Sequence, residues 1–134
     1  MNREKLKRIL YVEDDNDIRT VAQIALETVG GFALEVCSSG REALDAVKSG
    51  FLPDLILLDV MMPEMNGPTA LKSLRMLGPT AETPVIFMTA KVQNSEVVHY
   101  LSLGALGVIP KPFDPMQLAE QIRKLWEAGD GDRK

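Results

Sequence analysis

Five residues in this chain have the chemistry to handle phosphate and a hard metal ion: Glu13, Asp14, Asp59, Thr89 and Lys111. All follow apolar runs. Ile9-Leu10-Tyr11-Val12 leads into Glu13-Asp14-Asp15, Leu55-Ile56-Leu57-Leu58 into Asp59, Val85-Ile86-Phe87-Met88 into Thr89, and Val108-Ile109 into Pro110-Lys111. Runs without alternation read as strands covered on both faces, as in a parallel sheet. Asp59 most needs explaining, because a carboxylate at the end of a buried strand is costly to keep charged unless something neutralises it. Three carboxylates gathered together repel one another without a cation. Oxygen donors with no His or Cys among them suit Mg²⁺, with Mn²⁺ as the alternative. A lysine and a hydroxyl nearby suit phosphate oxygens. Together these groups fit phosphoryl transfer onto an aspartate, where catalysis is mostly positioning and charge neutralisation.

The elements that must hold these residues follow from the rest of the pattern. Residues 1–8 form a polar lead-in. Asp15 or Asn16 caps a helix with Ile18, Val21, Ala22, Ala25 and Val29 on its apolar face, ended by Gly30-Gly31. Phe32 to Ser38 suits a strand near a sheet edge, and Gly40 to Ser49 a short helix with Ala43, Leu44 and Val47 inward. After the central strand, Asn66-Gly67 reads as a turn and Pro68 as a first helical residue, leading a Leu71, Leu74, Leu77 stripe. A helix from Asn94 or Ser95 to about Leu103 and a last helix capped by Asp114, with Leu118, Ala119, Ile122, Leu125 and Trp126 on one face, complete the chain. The tail from Gly129 is expected to fray.

Strands and helices alternating in this way predict an α/β, doubly wound, parallel five-stranded sheet with helices on both faces. Pro110 cannot donate to a ladder, so the last strand belongs at an edge. The flavodoxin-like (βα)5 order 2-1-3-4-5 satisfies this, and it places the topological switch point between the strands ending in Asp14 and Asp59. The reactive strand ends then converge on one crevice.

Bulk properties fit one soluble domain over residues 1–134, with its core at about 8–127 and short polar tails. Hydrophobic residues make up 46% of the 134 and charged ones 25%, ordinary for a globular protein. A net charge of −4 argues against a nucleic-acid surface. The basic residues near the ends, Arg3, Lys5, Lys7, Arg8, Arg123, Lys124, Arg133 and Lys134, read as solubilising tails and helix ends. Cys37 is the lone cysteine, so no disulfide forms within the chain. No run reaches membrane-spanning length, and a cytoplasmic location fits.

The chain resembles the receiver domain of two-component response regulators, in size the single-domain chemotaxis type. The resemblance covers residues 9 to about 126 and rests on Val12-Glu13-Asp14-Asp15, Leu58-Asp59-Val60-Met61-Met62-Pro63 with Gly67, Met88-Thr89-Ala90, and Lys111-Pro112-Phe113. Each motif alone is weak; all of them in order at these spacings are specific. The resemblance implies that Asp59 accepts a phosphoryl group from a sensor histidine kinase or histidine phosphotransfer protein. It further implies that Asp14, Asp59 and the Met61 backbone carbonyl ligate Mg²⁺, with Glu13 acting through water. Thr89 would hydrogen-bond the phosphoryl group, Lys111 would pair with its oxygens, and Lys111-Pro112 would be a cis peptide. Met61 and Lys91 take the positions that tune phosphate lifetime in this family, bulky Met61 as a shield and Lys91 as added charge. Val108 departs from the pattern, standing where the family often has a Tyr or Phe that acts as the threonine's switch partner. Output would run through the surface of the fourth helix, fifth strand and fifth helix to an unidentified protein partner, in a monomer or a weak phosphorylation-dependent dimer.

Taken singly, these residues have ordinary readings: helix caps for the acids, a strand-end hydroxyl for Thr89, a surface lysine for Lys111. Their joint occurrence lifts them together. His99 reads as a solvent-facing or core-edge residue, Trp126 as core, Cys37 as a small buried hydrophobe, and Met61, Met62 and Met65 as gap-fillers. Two rival functions follow. A degenerate receiver acting as a constitutive interaction module is suggested by Val108. An aspartyl-phosphate phosphatase is disfavoured because Met61 stands where such enzymes commonly carry a second acid. The receiver reading is a signalling module with no turnover beyond its own aspartyl phosphate.

Overall fold

The computed structural model describes residues 5–132. Five strands, β1 (Arg8–Val12), β2 (Ala33–Cys37), β3 (Leu55–Asp59), β4 (Val85–Thr89) and β5 (Gly107–Pro110), alternate with α1 (Asn16–Ile24), α2 (Gly40–Lys48), α3 (Gly67–Arg75), α4 (Asn94–Ser102) and α5 (Leu118–Asp132). All neighbouring strands are parallel and lie in the order 2-1-3-4-5. β3 is central, and every one of its residues is buried. β5, with Pro110, is an edge, so the missing amide leaves no gap in a ladder.

Strand alternation divides the core in two. Leu10, Val12, Ile56, Leu58, Val85 and Phe87 face α2, α3 and α4. Ile9, Tyr11, Leu55, Leu57, Ile86, Met88 and Ile109 face α1 and α5. Trp126 and Cys37 are buried as expected, while His99 is exposed.

Several local expectations are corrected. The lead-in is shorter than residues 1–8, since β1 starts at Arg8 and the Lys7 and Arg8 amides donate to Asp54 Oδ2. Arg3, Arg133 and Lys134, assigned to the tails, lie outside the described residues. Val21 and Val29 are exposed, and Leu26 packs inward instead. For Leu26 and Val29 the cause is a π-helical turn over Ala25–Val29, where Gly30 N donates to Ala25 O five residues back and so shifts the inward face. Asn66-Gly67 is a helix start: Asn66 Oδ1 accepts from Thr69 N at 2.9 Å and caps α3. The Pro79–Pro84 loop begins in a 3₁₀ turn, Gly78–Thr80. Asp114 does not cap α5 directly; its Oδ1 accepts from Met116 N in a turn preceding Leu118. The tail expected to fray from Gly129 stays helical to Asp132. Leu106 explains it, because its side chain fills the place where a Cβ on Gly129 would stand.

Candidate functional site

The site is built where the ladders run out. Beyond the last paired strand residues, Glu13 N donates to Cys37 O, Val60 N to Met88 O, and Lys111 N to Thr89 O, each at 3.0 Å. These bonds fix the backbone at the strand ends. Alternation then sorts the side chains: Glu13, Asp59 and Lys111 continue the α1/α5 side begun by Tyr11, Leu57 and Ile109, while Thr89 continues the α3/α4 side begun by Phe87.

Lys111 Nζ lies 2.8 Å from Asp59 Oδ1 and 2.9 Å from Glu13 Oε1. Asp59 is 1% exposed and Glu13 fully buried. Burial pushes the Asp59 carboxyl up to about 6; the Lys111 hydrogen bond opposes the shift, and Glu13 adds to it. Burial pulls Lys111 down, but its hydrogen bonds to Asp59 and Glu13 outweigh this and hold it above its ordinary value. Glu13 Oε2 accepts from Asp15 N at 3.0 Å, whereas Asp59 Oδ2 is buried with no partner among the described residues.

Ligand oxygens of Glu13, Asp14 and Asp59 lie within 4.8 Å of one another. An all-oxygen donor set with one unsatisfied buried carboxylate oxygen fits a hard divalent ion such as Mg²⁺. Arg19, which the sequence reading passed over, braces this loop. Its Nη1 donates to Glu13 O at 2.8 Å and Asp14 O at 3.3 Å, and its Nη2 to Asn16 Oδ1 at 2.7 Å. The only signal in the sequence was a cation one turn into α1.

The family model for the response regulator receiver domain matches residues 9–123. The chain belongs to that family. It is 40% identical over 120 residues to the transcriptional regulatory protein CpxR of Escherichia coli K12, covering 90% of this chain and 49% of that protein. It is also 40% identical over 116 residues to the transcriptional regulatory protein DltR of Streptococcus agalactiae serotype III, covering 87% of this chain and 50% of that one. The chain thus spans about half the length of the curated relatives it matches. Among solved structures it resembles the chemotaxis protein CheY4 of Vibrio cholerae, with a TM-score of 0.81, 29% identity, and coverage of 90% of this chain and 99% of that one. The receiver domain of the Francisella response regulator 1452 gives a TM-score of 0.78, 28% identity, and coverage of 92% and 98%.

The remaining sequence-derived positions of this receiver domain differ in burial. Thr89 is buried, and its Oγ1 accepts from Lys91 N at 3.0 Å. The Lys91 side chain is exposed, and Met61, two residues past Asp59, is 60% exposed. The Lys111-Pro112 peptide is cis. Val108 is half-buried and packs against the α3/α4 side of the core. Gly67 acquires a role beyond the turn expected of it. A Cβ there would come 2.5 Å from Asp59 O and 3.0 Å from Val60 Cα, so only glycine lets α3 start directly against the peptide that carries Asp59. Among the described residues no helix is long and apolar enough to cross a membrane.

Proposed function

We propose that this receiver domain is a switch thrown by Mg²⁺-dependent phosphorylation of Asp59, with the phosphoryl group supplied by a phosphohistidine on a sensor histidine kinase or histidine phosphotransfer protein. The observation that carries this reading is the state of the Asp59 carboxylate: Oδ1 is held by Lys111, and Oδ2 is buried with no partner among the described residues, beside two further acids. An unsatisfied buried carboxylate oxygen is costly in a merely structural residue and useful in a nucleophile.

Oδ2 attacks phosphorus, an O–P bond forms, and the P–N bond to the donor imidazole breaks with its electron pair going to nitrogen. Lys111, already pointed at Asp59, turns its ammonium to the phosphoryl oxygens, and the Thr89 hydroxyl donates to another of them. Glu13, Asp14, Asp59 and the Met61 carbonyl would hold Mg²⁺, Glu13 through a water. When bound, the ion neutralises charge on the oxygens of the transferring group. Beyond gaining and losing this group the domain turns over no substrate. Its output is a change in partner binding on the α4-β5-α5 face, a population shift biased by the new charge. A histidine-kinase donor would place the domain in the cytoplasm.

The test is intact mass after incubation with Mg²⁺ and a small acyl-phosphate donor, beside Asp59→Asn. One added phosphoryl group, absent in the variant and with chelator, is the expected result. No gain in a folded protein would leave a constitutive interaction module as the better reading.

A further inference from the structure

β2 is an edge of the sheet, paired with β1 on one side only. Ala33 N donates to Lys7 O at 2.8 Å and Cys37 O accepts from Glu13 N at 3.0 Å, which marks both ends of that ladder. In a parallel pair alternate residues turn both their amide and their carbonyl to the same neighbour. Ala33, Glu35 and Cys37 therefore spend theirs on β1, and Leu34 and Val36 each present an N–H and a C=O to the outside. No hydrogen bond among the described residues uses those four groups. An edge of this kind is a template for one more strand. Beside it runs a groove of about 420 Å³ between β2 and α2. Cys37, Ala46 and Phe51 are its less exposed lining, and Glu35, Glu42 and Asp45 line it with charge. No ion pair among the described residues neutralises these three acids. Ser38 N donates to Glu42 Oε1 at 2.7 Å and holds that carboxylate in place. At the Phe51 end Arg8 lies over the ring, 4.8 Å from its centroid, so the unpaired negative charge is concentrated towards Glu42 and Asp45.

We propose that the β2 edge and this groove together are a docking site for an extended basic segment of a partner protein, which joins the sheet as an added strand beside β2. Main-chain bonds to Leu34 and Val36 supply affinity, and the side chains of the added strand supply specificity. Those side chains alternate between the two faces of the sheet. On the α2 face, lysines or arginines meet Glu35, Glu42 and Asp45. On the opposite face the strand borders Leu34 and Val36, which pack against the α1/α5 cluster, so apolar residues belong there. The matching segment therefore alternates basic and apolar residues. A second copy of this chain is a poor occupant. Two β2 edges joined antiparallel, about an axis normal to the sheet, would set the three acids of one copy beside the three of the other, and like charges opposite one another destabilise a strand pair. The docking requires no phosphoryl group on Asp59.

Backbone amide exchange followed by NMR on the whole chain tests this, with synthetic peptides as probes at concentrations where they are monomeric. One peptide alternates Lys and Val, a second alternates Glu and Val, and a third is the Lys-Val peptide with methyl groups on alternate backbone nitrogens, which takes away the donors a paired strand needs. The Lys-Val peptide should bind and slow exchange several-fold at Leu34 and Val36. The Glu-Val peptide should not bind, and the methylated one should bind several-fold more weakly. Glu35→Gln combined with Asp45→Asn should weaken the Lys-Val peptide several-fold, an effect that added salt also produces in the parent. Glu42 is left in place because it supports the start of α2. No binding of the Lys-Val peptide, or binding that leaves Leu34 and Val36 exchanging as before, overturns the proposal, the latter as loose charge attraction. Equal binding of the Glu-Val or the methylated peptide, or unchanged affinity in the folded double variant, also overturns it. Slowed exchange at Leu34 and Val36 on raising the protein concentration without peptide overturns it in favour of a second copy. The parent protein gives its answer even if the double variant unfolds.

Discussion

Lys111 Nζ lies 2.8 Å from Asp59 Oδ1 although 52 residues separate them in the chain. The contact sets the charge state of the crevice before any ion or phosphoryl group arrives. Burial still wins at Asp59, whose carboxyl is pushed from 3.8 up to about 6. A carboxyl whose folded value lies above its unfolded one holds its proton more tightly in the fold. Its contribution to stability is therefore complete below the unfolded value and is lost as pH rises through about 6. At neutral pH the ionised Asp59 is a liability of on the order of 3 kcal/mol at most, the equivalent of the gap between 3.8 and about 6. Asp59→Asn should thus stabilise the chelator-treated protein above pH ~7, with the gain shrinking towards pH ~4. Urea unfolding across that range checks it, and a gain that grows on acidification would contradict it.

Removing the cation should do the reverse. Lys111→Met leaves Glu13 and Asp59 buried together with no counter-charge, and breaking a buried pair from one side costs about 3–5 kcal/mol. The Lys111 side chain is 16% exposed, so the lower end of that range applies. Mg²⁺ should recover more stability in the variant than in the parent, because the ammonium no longer competes for the same oxygens. A ligand that binds only the folded state stabilises by about 2.7 kcal/mol at ~100 times its Kd. Unfolding midpoints with and without Mg²⁺ measure the difference; equal gains in both proteins would show that Lys111 and the ion do not share the site.

Gly67 makes a stability prediction with a functional consequence. Gly67→Ala drives a Cβ to 2.5 Å from Asp59 O, against backbone that cannot swing aside. A loss of about 1–3 kcal/mol follows from overpacking of this kind, together with slower phosphoryl uptake because the Asp59 peptide is displaced. Gly78→Ala is the control: a Cβ there meets nothing within 4 Å, and a change within about 0.5 kcal/mol is expected. Denaturant unfolding and the rate of mass gain read the two effects separately.

Leu55 to Leu58, unalternating and bounded by Pro53 and Pro63, could belong only to a strand covered on both faces, and Pro110 could belong only at an edge. That was enough to order the sheet and bring Glu13, Asp14, Asp59, Thr89 and Lys111 to one end of it. The pattern failed where rotation about a helix axis decides. The π-helical turn after Ile24 brought Leu26 inward and left Val29 exposed, and no residue type between Ala25 and Val29 announces an extra residue in a turn. Asn66-Gly67 predicts a turn and is a helix cap instead, because a cap and a turn use the same residues. The glycine answers to a close approach, which periodicity does not record.

Met61 is placed to test how long a phosphoryl group on Asp59 would last. Met61 is 60% exposed between buried Val60 and Met62, so its side chain alone turns out to solvent, two residues past Asp59. Hydrolysis of an aspartyl phosphate needs a water in line with the O–P bond. An apolar side chain at this position cannot hold such a water by hydrogen bonds, whereas an amide can. Met61→Asn should therefore shorten the phosphate half-life several-fold, with little change in folding stability, since exposed positions away from buried contacts seldom matter by more than about 0.5 kcal/mol. Lys91 is exposed two residues past Thr89; if its charge helps hold the phosphoryl group, Lys91→Ala should have the smaller effect. The half-life is followed by loss of the added mass after the donor is removed. An unchanged half-life in Met61→Asn would remove the shielding role.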